Sequence, residues 1–264
     1  MAIALAIRVP TEEAKMSKAA TAAASGALGR DVNRLRQGNL RVLPGLVSSQ
    51  HSAERVAAEL DRAGTTVACR KGKTLVEEGD PAEYIFKVVS GAIRAVRLLA
   101  DGRRYVASFH MPGDFLGLAD GESYSHSFEA LADASLIRYT RTSFEAMLDR
   151  NPGAGRSFFG ILRKELSAAQ DRLLLLGRKT AAERLASFLL SLADRNSGNN
   201  DAGDGAIELP MNRSDMADYL GLRIETVCRL LTDLKHRRII DLPGIHSVMV
   251  LRRDLLETES EGTA

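Results

Sequence analysis

The spacing of apolar residues along the chain changes twice, and each change marks a different predicted structure. From roughly residue 65 to residue 142 the period is two, with Tyr105, Ala107 and Phe109 alternating with residues 104, 106 and 108, which is typical of half-buried strands. Asp101-Gly102 lies between two apolar runs and predicts a hairpin turn. Several short strands of this kind predict a jelly-roll or a barrel with flanking helices.

Beyond Pro152 the apolar period becomes that of a helix. The apolar positions are separated alternately by three and four residues, which is a heptad stripe, and they are Phe159, Leu162, Leu166, Ala169, Leu173 and Leu176. Such a stripe has two interpretations, an amphipathic helix packed on its own domain or the seam of a parallel dimer. The pattern of the segment that follows favours the dimerisation helix. Gly177 is its predicted C-cap.

The rest of the chain predicts a second domain. Its expected elements are helices at 181–193, 212–219 and 224–236, a polar loop at 196–205, a short strand at 207–209, and a hairpin of 239–242 and 248–251 around Pro243-Gly244. Helix, turn, helix and hairpin is the order of a winged helix-turn-helix. The predicted fold class is therefore α+β, with an N-terminal β-roll (jelly-roll), a long dimerisation helix and a C-terminal winged helix-turn-helix.

The predicted domain boundaries follow these changes of pattern. Residues 1–50 are expected to be a poorly ordered extension, because residues 19–27 are low-complexity Ala, Ser, Gly and Thr. A weak export signal near the N-terminus and a true start at Met16 are both open interpretations. We expect the β-roll domain at 51–150, the dimerisation helix at 151–177, the winged domain at 178–256 and a frayed tail at 257–264.

Composition narrows the class of protein. The chain has 264 residues and 36 basic against 34 acidic side chains, a net charge of +2, so nucleic acid could be bound only by a local patch. No apolar run approaches 18 residues, and no membrane partner is expected. The cysteines, Cys69 and Cys228, favour a reducing cytoplasm and cannot by themselves ligate an iron–sulfur cluster. Without a Walker loop, nucleophile elbow, His-Glu zinc motif or CxxC pair, no enzyme is expected.

The segment from Asn212 to Lys235 carries the most informative pattern. Gly221 allows a tight turn between two short helices, and the apolar face of the second leaves Glu225, Cys228 and Arg229 outward. Glu225 and Arg229 are four residues apart, so an intrahelical ion pair is one interpretation. In a major groove the pair reads bases, because arginine bonds guanine O6 and N7 and a carboxylate accepts from cytosine N4. The surrounding winged helix-turn-helix pattern favours base reading.

Motifs in both halves of the chain resemble those of one family. They are Glu78-Gly79-Asp80, Ser90-Gly91, and Pro112-Gly113-Asp114-Phe115 with Gly117 in the first half, and Leu220-Gly-Leu-Arg-Ile-Glu-Thr-Val-Cys-Arg229 in the second. The first set resembles the sensory β-roll of the CRP/FNR superfamily of bacterial transcription regulators, and the second resembles its recognition helix. The resemblance implies that the predicted β-roll is of sensor type. Within the superfamily the chain is most similar to the FixK branch.

The resemblance implies a function and assigns residues to it. It implies a homodimeric regulator, an activator of oxygen-limitation, respiratory or nitrogen-fixation genes, that binds palindromic TTGA-type sites in the cytoplasm and contacts RNA polymerase. The implied base-reading residues are Ile224, Glu225, Cys228 and Arg229, and the implied phosphate contacts are Arg213, Arg223 and Thr226. Arg223 departs from the Ser or Thr usual there, which removes an N-cap and adds a cation. Lys235, Arg237 and Arg238 form a further basic patch that a solvated surface explains equally well.

The predicted sensor domain lacks the residues with which cyclic-nucleotide members of the family hold their ligand. Segment 115–119 has no glutamate and segment 126–130 has no arginine, while Glu129 adds a carboxylate expected to repel an anion. His110 and His126 lie in no axial-haem motif. No cofactor is therefore expected. The alternative is an effector-dependent CRP-like regulator whose β-roll binds an unidentified small molecule.

Cys228 immediately precedes the predicted base-reading arginine, and it has two interpretations. It is either a small residue tolerated beside DNA or the site of a regulatory oxidation. Arg229 and a helix N-terminus would favour its thiolate. An oxidised sulfur acid at this position would repel DNA phosphate.

Overall fold

The computed structural model describes residues 64–118, 121–197 and 206–262. The first half of this part of the chain forms two four-stranded antiparallel sheets, with strand orders β1-β8-β3-β6 and β2-β7-β4-β5. The strands are β1 (Thr65–Cys69), β2 (Thr74–Val76), β3 (Tyr84–Ser90), β4 (Ile93–Leu98), β5 (Arg104–His110), β6 (Phe115–Leu116), β7 (Ser127–Ala130) and β8 (Ala134–Thr140). Phe86, Val88, Ile93 and Leu136 are buried between the sheets. The expectations for residues 1–50 lie outside the described residues.

A β-bulge in β5 interrupts the strict alternation that the sequence predicts. Ala95 pairs with Ser108 and Val96 pairs with Val106, so Ala107 is the additional residue. Val106 and Phe109 are both buried, and with Val96 they belong to the core of the C-terminal half of the chain. Part of the outer face of the β2-β7-β4-β5 sheet is therefore apolar too, and this part is covered by a second layer.

Two helices, α1 (Arg141–Arg150) and α2 (Pro152–Arg178), follow the roll. Asn151 caps α2, since its side-chain oxygen accepts hydrogen bonds from the N–H groups of residues 153 and 154. The predicted C-cap at Gly177 is wrong, because α2 continues to Arg178 and ends at Lys179 in extended conformation. The carbonyl oxygens of Leu176 and Lys179 accept hydrogen bonds from the Arg184 guanidinium instead.

The C-terminal half has the predicted order of a winged helix-turn-helix. Its elements are α3 (Ala181–Ser197), β9 (Ala206–Glu208), α4 (Arg213–Leu220), α5 (Ile224–His236), β10 (Ile240–Gly244), β11 (Ser247–Val250) and α6 (Arg253–Glu261). β10, β11 and β9 form a three-stranded antiparallel wing. The α+β fold class, with a β-roll, a long connecting helix and a winged helix-turn-helix, is confirmed.

Helix α6 replaces the frayed tail expected from residue 257. Leu256 is fully buried, Arg253 pairs with Asp194 at 2.6 Å, and Arg237 pairs with Glu259. The expectation is wrong because Leu256 packs in the core and Glu259 pairs with Arg237 just beyond the end of α5, contacts that no local pattern reveals. Among the described helices none is long and apolar enough to cross a membrane.

Candidate DNA-binding interface

Helices α4 and α5 are held at a sharp angle by local capping chemistry. Asn212 and Asp215 form a capping box at the start of α4, in which each side chain accepts from the other's backbone N–H. Gly221 ends α4 with φ of 63°, in the left-handed region that favours glycine. A tight turn therefore joins the two helices, as the sequence predicts.

Helix α5 has a buried face and a free face. Val227, Leu231 and Leu234 are buried in the core of the winged domain. On the opposite side Glu225 and Arg229 are exposed, and Ile224 exposes 42% of its surface. The structure thus leaves three of the four predicted base-reading residues accessible, and we call these three together the reading face (Ile224, Glu225 and Arg229).

The two charged residues of the reading face are not engaged with each other. In the described helix α5 no ion pair joins Glu225 to Arg229, so the intrahelical pair left open by the sequence does not form. Both groups are available to a partner. Arg223, the exposed residue at the N-cap position of α5, makes no capping hydrogen bond with its side chain. Its departure from Ser or Thr predicts this absence.

Cys228 is less exposed than the three residues of the reading face. Its side chain is half-buried, and the Arg213 Nη1 atom of α4 lies 3.5 Å from its sulfur. The structure therefore joins a predicted phosphate-binding residue to the candidate oxidation site. Sequence reasoning paired Cys228 with Arg229, whereas the neighbouring cation in the structure is Arg213.

Two of the three cations in the basic patch at the C-terminal end of α5 form ion pairs within the domain. Lys235 pairs with Asp241 at 3.0 Å, and Arg237 pairs with both Asp233 and Glu259. These contacts favour the solvated-surface interpretation for Lys235 and Arg237. Surface pairs of this kind contribute little to stability.

Arg184 of α3 joins the long helix to the helix-turn-helix, a role that the sequence does not suggest. Its guanidinium donates to the carbonyl oxygens of Leu176 at 3.0 Å, Lys179 at 2.9 Å and Leu220 at 3.1 Å. The end of α2 and the end of α4 therefore share one cation, which also complements the negative ends of both helix dipoles.

The heptad stripe lies on an uncovered face of α2. Phe159, Leu166 and Leu173 expose 64%, 62% and 75% of their surfaces, and Leu162 exposes 37%. Phe158 and Ile161, next to stripe positions, pack instead on the roll beside Phe144. The stripe is thus separate from the face with which α2 packs on its own chain.

The inside of the roll differs from the sequence-based picture in one respect. Glu129 does not face the interior, because in β7 the inward positions are Phe128 and Ala130 and Glu129 pairs with Arg94 on the outer face at 2.6 Å. The expected repulsion of an anion by Glu129 is therefore wrong, although no arginine replaces it inside segment 126–130. A cleft of about 330 Å³ does open in the roll, lined by Val76, Tyr84 and Arg138 among others.

A cluster of titratable groups lies where the roll meets α2 and α3. His110 Nε2 is 2.7 Å from the Ser108 hydroxyl, and burial lowers the pKa of His110 to about 4, with Arg195 and His126 acting in the same direction and Asp114 opposing them. Burial also raises the pKa of Glu165. No group of three or more His, Cys, Asp or Glu side chains in the described ranges is arranged to hold a metal ion.

Comparison with known proteins agrees with this architecture. Residues 183–259 match the Crp-like helix-turn-helix domain, and residues 66–151 match the cyclic nucleotide-binding domain. The nitrogen fixation regulation protein FixK of Azorhizobium caulinodans is 39% identical over 210 residues, which cover 80% of this chain and 84% of that protein. The chain belongs to the CRP/FNR superfamily, in its FixK-like branch.

Two further relatives support the assignment. The transcriptional activatory protein AadR of Rhodopseudomonas palustris is 36% identical over 182 residues, covering 69% of this chain and 76% of that protein. The solved structure of FixK2 from Bradyrhizobium japonicum superposes with a TM-score of 0.69 at 39% identity, covering 76% of this chain and 99% of that one. This FixK-like protein is accordingly a DNA-binding transcription regulator.

Proposed function

We propose that this regulator binds palindromic TTGA-type operators as a homodimer and activates transcription from them. The observation that carries the proposal is the reading face, where Ile224, Glu225 and Arg229 are exposed and unpaired with one another on the outer side of α5. Arg229 would bond guanine and Glu225 would accept from cytosine N4, while Ile224 would contact a thymine methyl group. The name of AadR supports activation, and the name of FixK supports control of nitrogen-fixation genes.

Phosphate contacts would set the register of α5 in the groove. Thr226 and Arg223 flank the N-terminus of α5, where the helix dipole favours an anion. Arg213 at the start of α4 adds a second cation. Such contacts position the protein without reading sequence.

The uncovered stripe on α2 supports the homodimer. Leu176 is half-buried within its own chain, and pairing two such helices in parallel would bury the exposed members of the stripe, Phe159, Leu162, Leu166, Ala169 and Leu173. Two reading faces would then lie about one helical turn apart on a two-fold symmetric operator. A cytoplasmic location and a contact with RNA polymerase are part of the same proposal.

Oxidation of Cys228 would weaken operator binding. Attack of its thiolate on the O–O bond of hydrogen peroxide gives a sulfenic acid and hydroxide, which takes a proton from solvent to become water, and a second hydrogen peroxide gives the sulfinic acid and another water. The sulfinate would sit within hydrogen-bond reach of Arg213, whose Nη1 is already 3.5 Å from the sulfur. Arg213 would be withdrawn from phosphate and a negative charge would be placed beside DNA.

The test is a fluorescence-anisotropy titration at fixed salt, without added ligand. The probes are a palindrome of TTGAT and ATCAA half-sites and a scrambled duplex of the same length. The wild type is expected to prefer the palindrome by about a thousandfold. Glu225→Ala and Arg229→Ala should each lose about 1–3 kcal/mol per half-site, or about 2–6 kcal/mol on the palindrome, and almost nothing on the scrambled duplex.

Lys235→Ala is the matched control, because Lys235 is a cation of the same helix that is already paired with Asp241. Weak binding by the wild type that ignores sequence would refute effector-independent reading. The effector-dependent alternative would then lead, with the cleft beside Tyr84 and Arg138 as its ligand site.

A further inference from the structure

The reading domain packs directly on the roll through an aromatic cluster. Phe109 of β5 lies 5.1 Å from Tyr219 of α4 and 6.1 Å from Phe188 of α3, measured between ring centres, and Phe188 and Tyr219 are 5.2 Å apart. Val96 and Val106 of the sheet belong to the same core. The helix-turn-helix and the β2-β7-β4-β5 sheet therefore share one hydrophobic core, which makes their relative orientation definite.

Four charged residues surround this contact and join sheet to helix. Arg104 of β5 donates to Asp215 at 2.7 Å and to Asp218 at 2.8 and 2.6 Å. Arg94 of β4 donates to the same Asp215 oxygen, and Glu129 holds the other side of Arg94. We name Arg94, Arg104, Asp215 and Asp218 the sheet–helix clamp.

The clamp is selective for one orientation because part of it is buried. The Asp215 side chain is 1% exposed, so its charge is stable only where both arginines reach it. Asp215 and Asp218 are three residues apart and share a face of α4. A rotation of α4 away from the sheet would break the pairs of both aspartates together.

Arg172 connects the clamp to the helix that carries the dimer stripe. Its guanidinium donates to the carbonyl oxygens of Val106 and Ala107 at the bulge of β5 and to the Tyr219 carbonyl oxygen at 3.2 Å. The same group stacks on the Tyr219 ring at 3.9 Å. The dimer helix α2, the sheet and α4 are thus fixed at one point.

We infer that the sheet–helix clamp holds the reading face at a set angle to the dimer stripe, so that its arginines and aspartates are positioning residues for operator half-site spacing. The inference rests on the proposed homodimer. Both the reading face and the stripe are exposed in the clamped arrangement, so clamping blocks neither DNA nor a second subunit. The clamp therefore presets the DNA-binding arrangement from within the chain.

Loss of the clamp would allow the angle between the reading face and the dimer stripe to vary, without changing any residue proposed to contact DNA. When only a fraction of molecules has the competent arrangement, the apparent dissociation constant rises by the inverse of that fraction. We expect Arg104→Gln and Asp218→Asn to weaken palindrome binding by about 10- to 100-fold, since two reading domains must be placed at once. Binding to a single half-site at high protein concentration should stay within about twofold.

The experiment measures affinity for palindromes whose half-site centres are about one helical turn apart, and for others with one or two base pairs added or removed. The wild type should show a sharp optimum, and the two variants a flattened profile. The double variant should be no worse than Arg104→Gln alone, because that change already removes the contact between Arg104 and Asp218. Arg103→Gln is the matched control, since Arg103 is 77% exposed and pairs only with its neighbour Asp101 in the described residues.

The outcomes separate the inference from the proposed function. A wild type that ignores both sequence and spacing would overturn the two together. A wild type with a sharp optimum that the variants retain, or variants that bind more tightly, would overturn the clamp alone. If thermal unfolding shows that Arg104→Gln does not fold, Arg104→Lys keeps the charge without the two-pronged geometry and should flatten the profile in its place.

Discussion

The exposed stripe on α2 leads to a quantitative prediction for Leu173→Ala. Leu173 is the most exposed of the predicted seam leucines, at 75%, and it lies near the C-terminal end of α2. Alanine preserves the helix but removes three carbon atoms. Because the domain packs through other faces of α2, we expect the free energy of unfolding of the monomer to change little.

The magnitude follows from the exposed fraction. Burial of one methylene or methyl group contributes about 0.8 kcal/mol to the free energy of association, so three such groups contribute about 2.4 kcal/mol when fully buried. Scaling by the 75% that a partner could cover leaves about 1.8 kcal/mol for each copy. The dimer contains two copies, which gives about 3.5 kcal/mol, or a dissociation constant raised a few hundredfold.

Sedimentation equilibrium over a wide concentration range measures this change. Leu98→Ala is the control, because Leu98 is 70% exposed at the end of β4, away from the stripe. The dissociation constant of the Leu98→Ala dimer should equal that of the wild type. If the dissociation constant of the Leu173→Ala dimer also stays within threefold of the wild-type value, the stripe is not the dimer seam. Operator affinity at low protein concentration should fall in parallel with dimerisation.

Two further predictions concern single side chains. His110 has a pKa of about 4 in the folded protein against its ordinary 6.5, so the unfolded chain binds the extra proton and stability falls as pH decreases from about 6.5 to about 4. The loss in the free energy of unfolding is on the order of 3 kcal/mol. Urea unfolding of His110→Gln should not show this loss. Glu165 contributes equally to the pH dependence of both proteins. Peroxide should weaken operator binding of wild type but not of Cys228→Ser. Since Cys69 is buried in both proteins, equal weakening of the two would refute a role for Cys228.

Local sequence patterns determined the elements that depend on nearby residues. The helix-turn-helix could be predicted because Asn212, Gly221 and the apolar spacing of α5 act within a few residues of one another. The same holds for the stripe of α2 and for the missing N-cap at Arg223. In each case the energetic cause, a cap, a turn conformation or a helical face, lies within one or two turns of chain.

The tertiary structure alone decided how these elements meet. Arg94 and Arg104 are more than a hundred residues from Asp215 in sequence, and the bulge at Ala107 that turns Val106 and Phe109 to one face gives no signal in composition. The inward or outward direction of Glu129 likewise depended on strand register, because a shift of one residue reverses every side chain. Pairing between distant charges depends on packing that no local pattern contains, which is why the sequence predicted a reading helix but not the contacts that orient it.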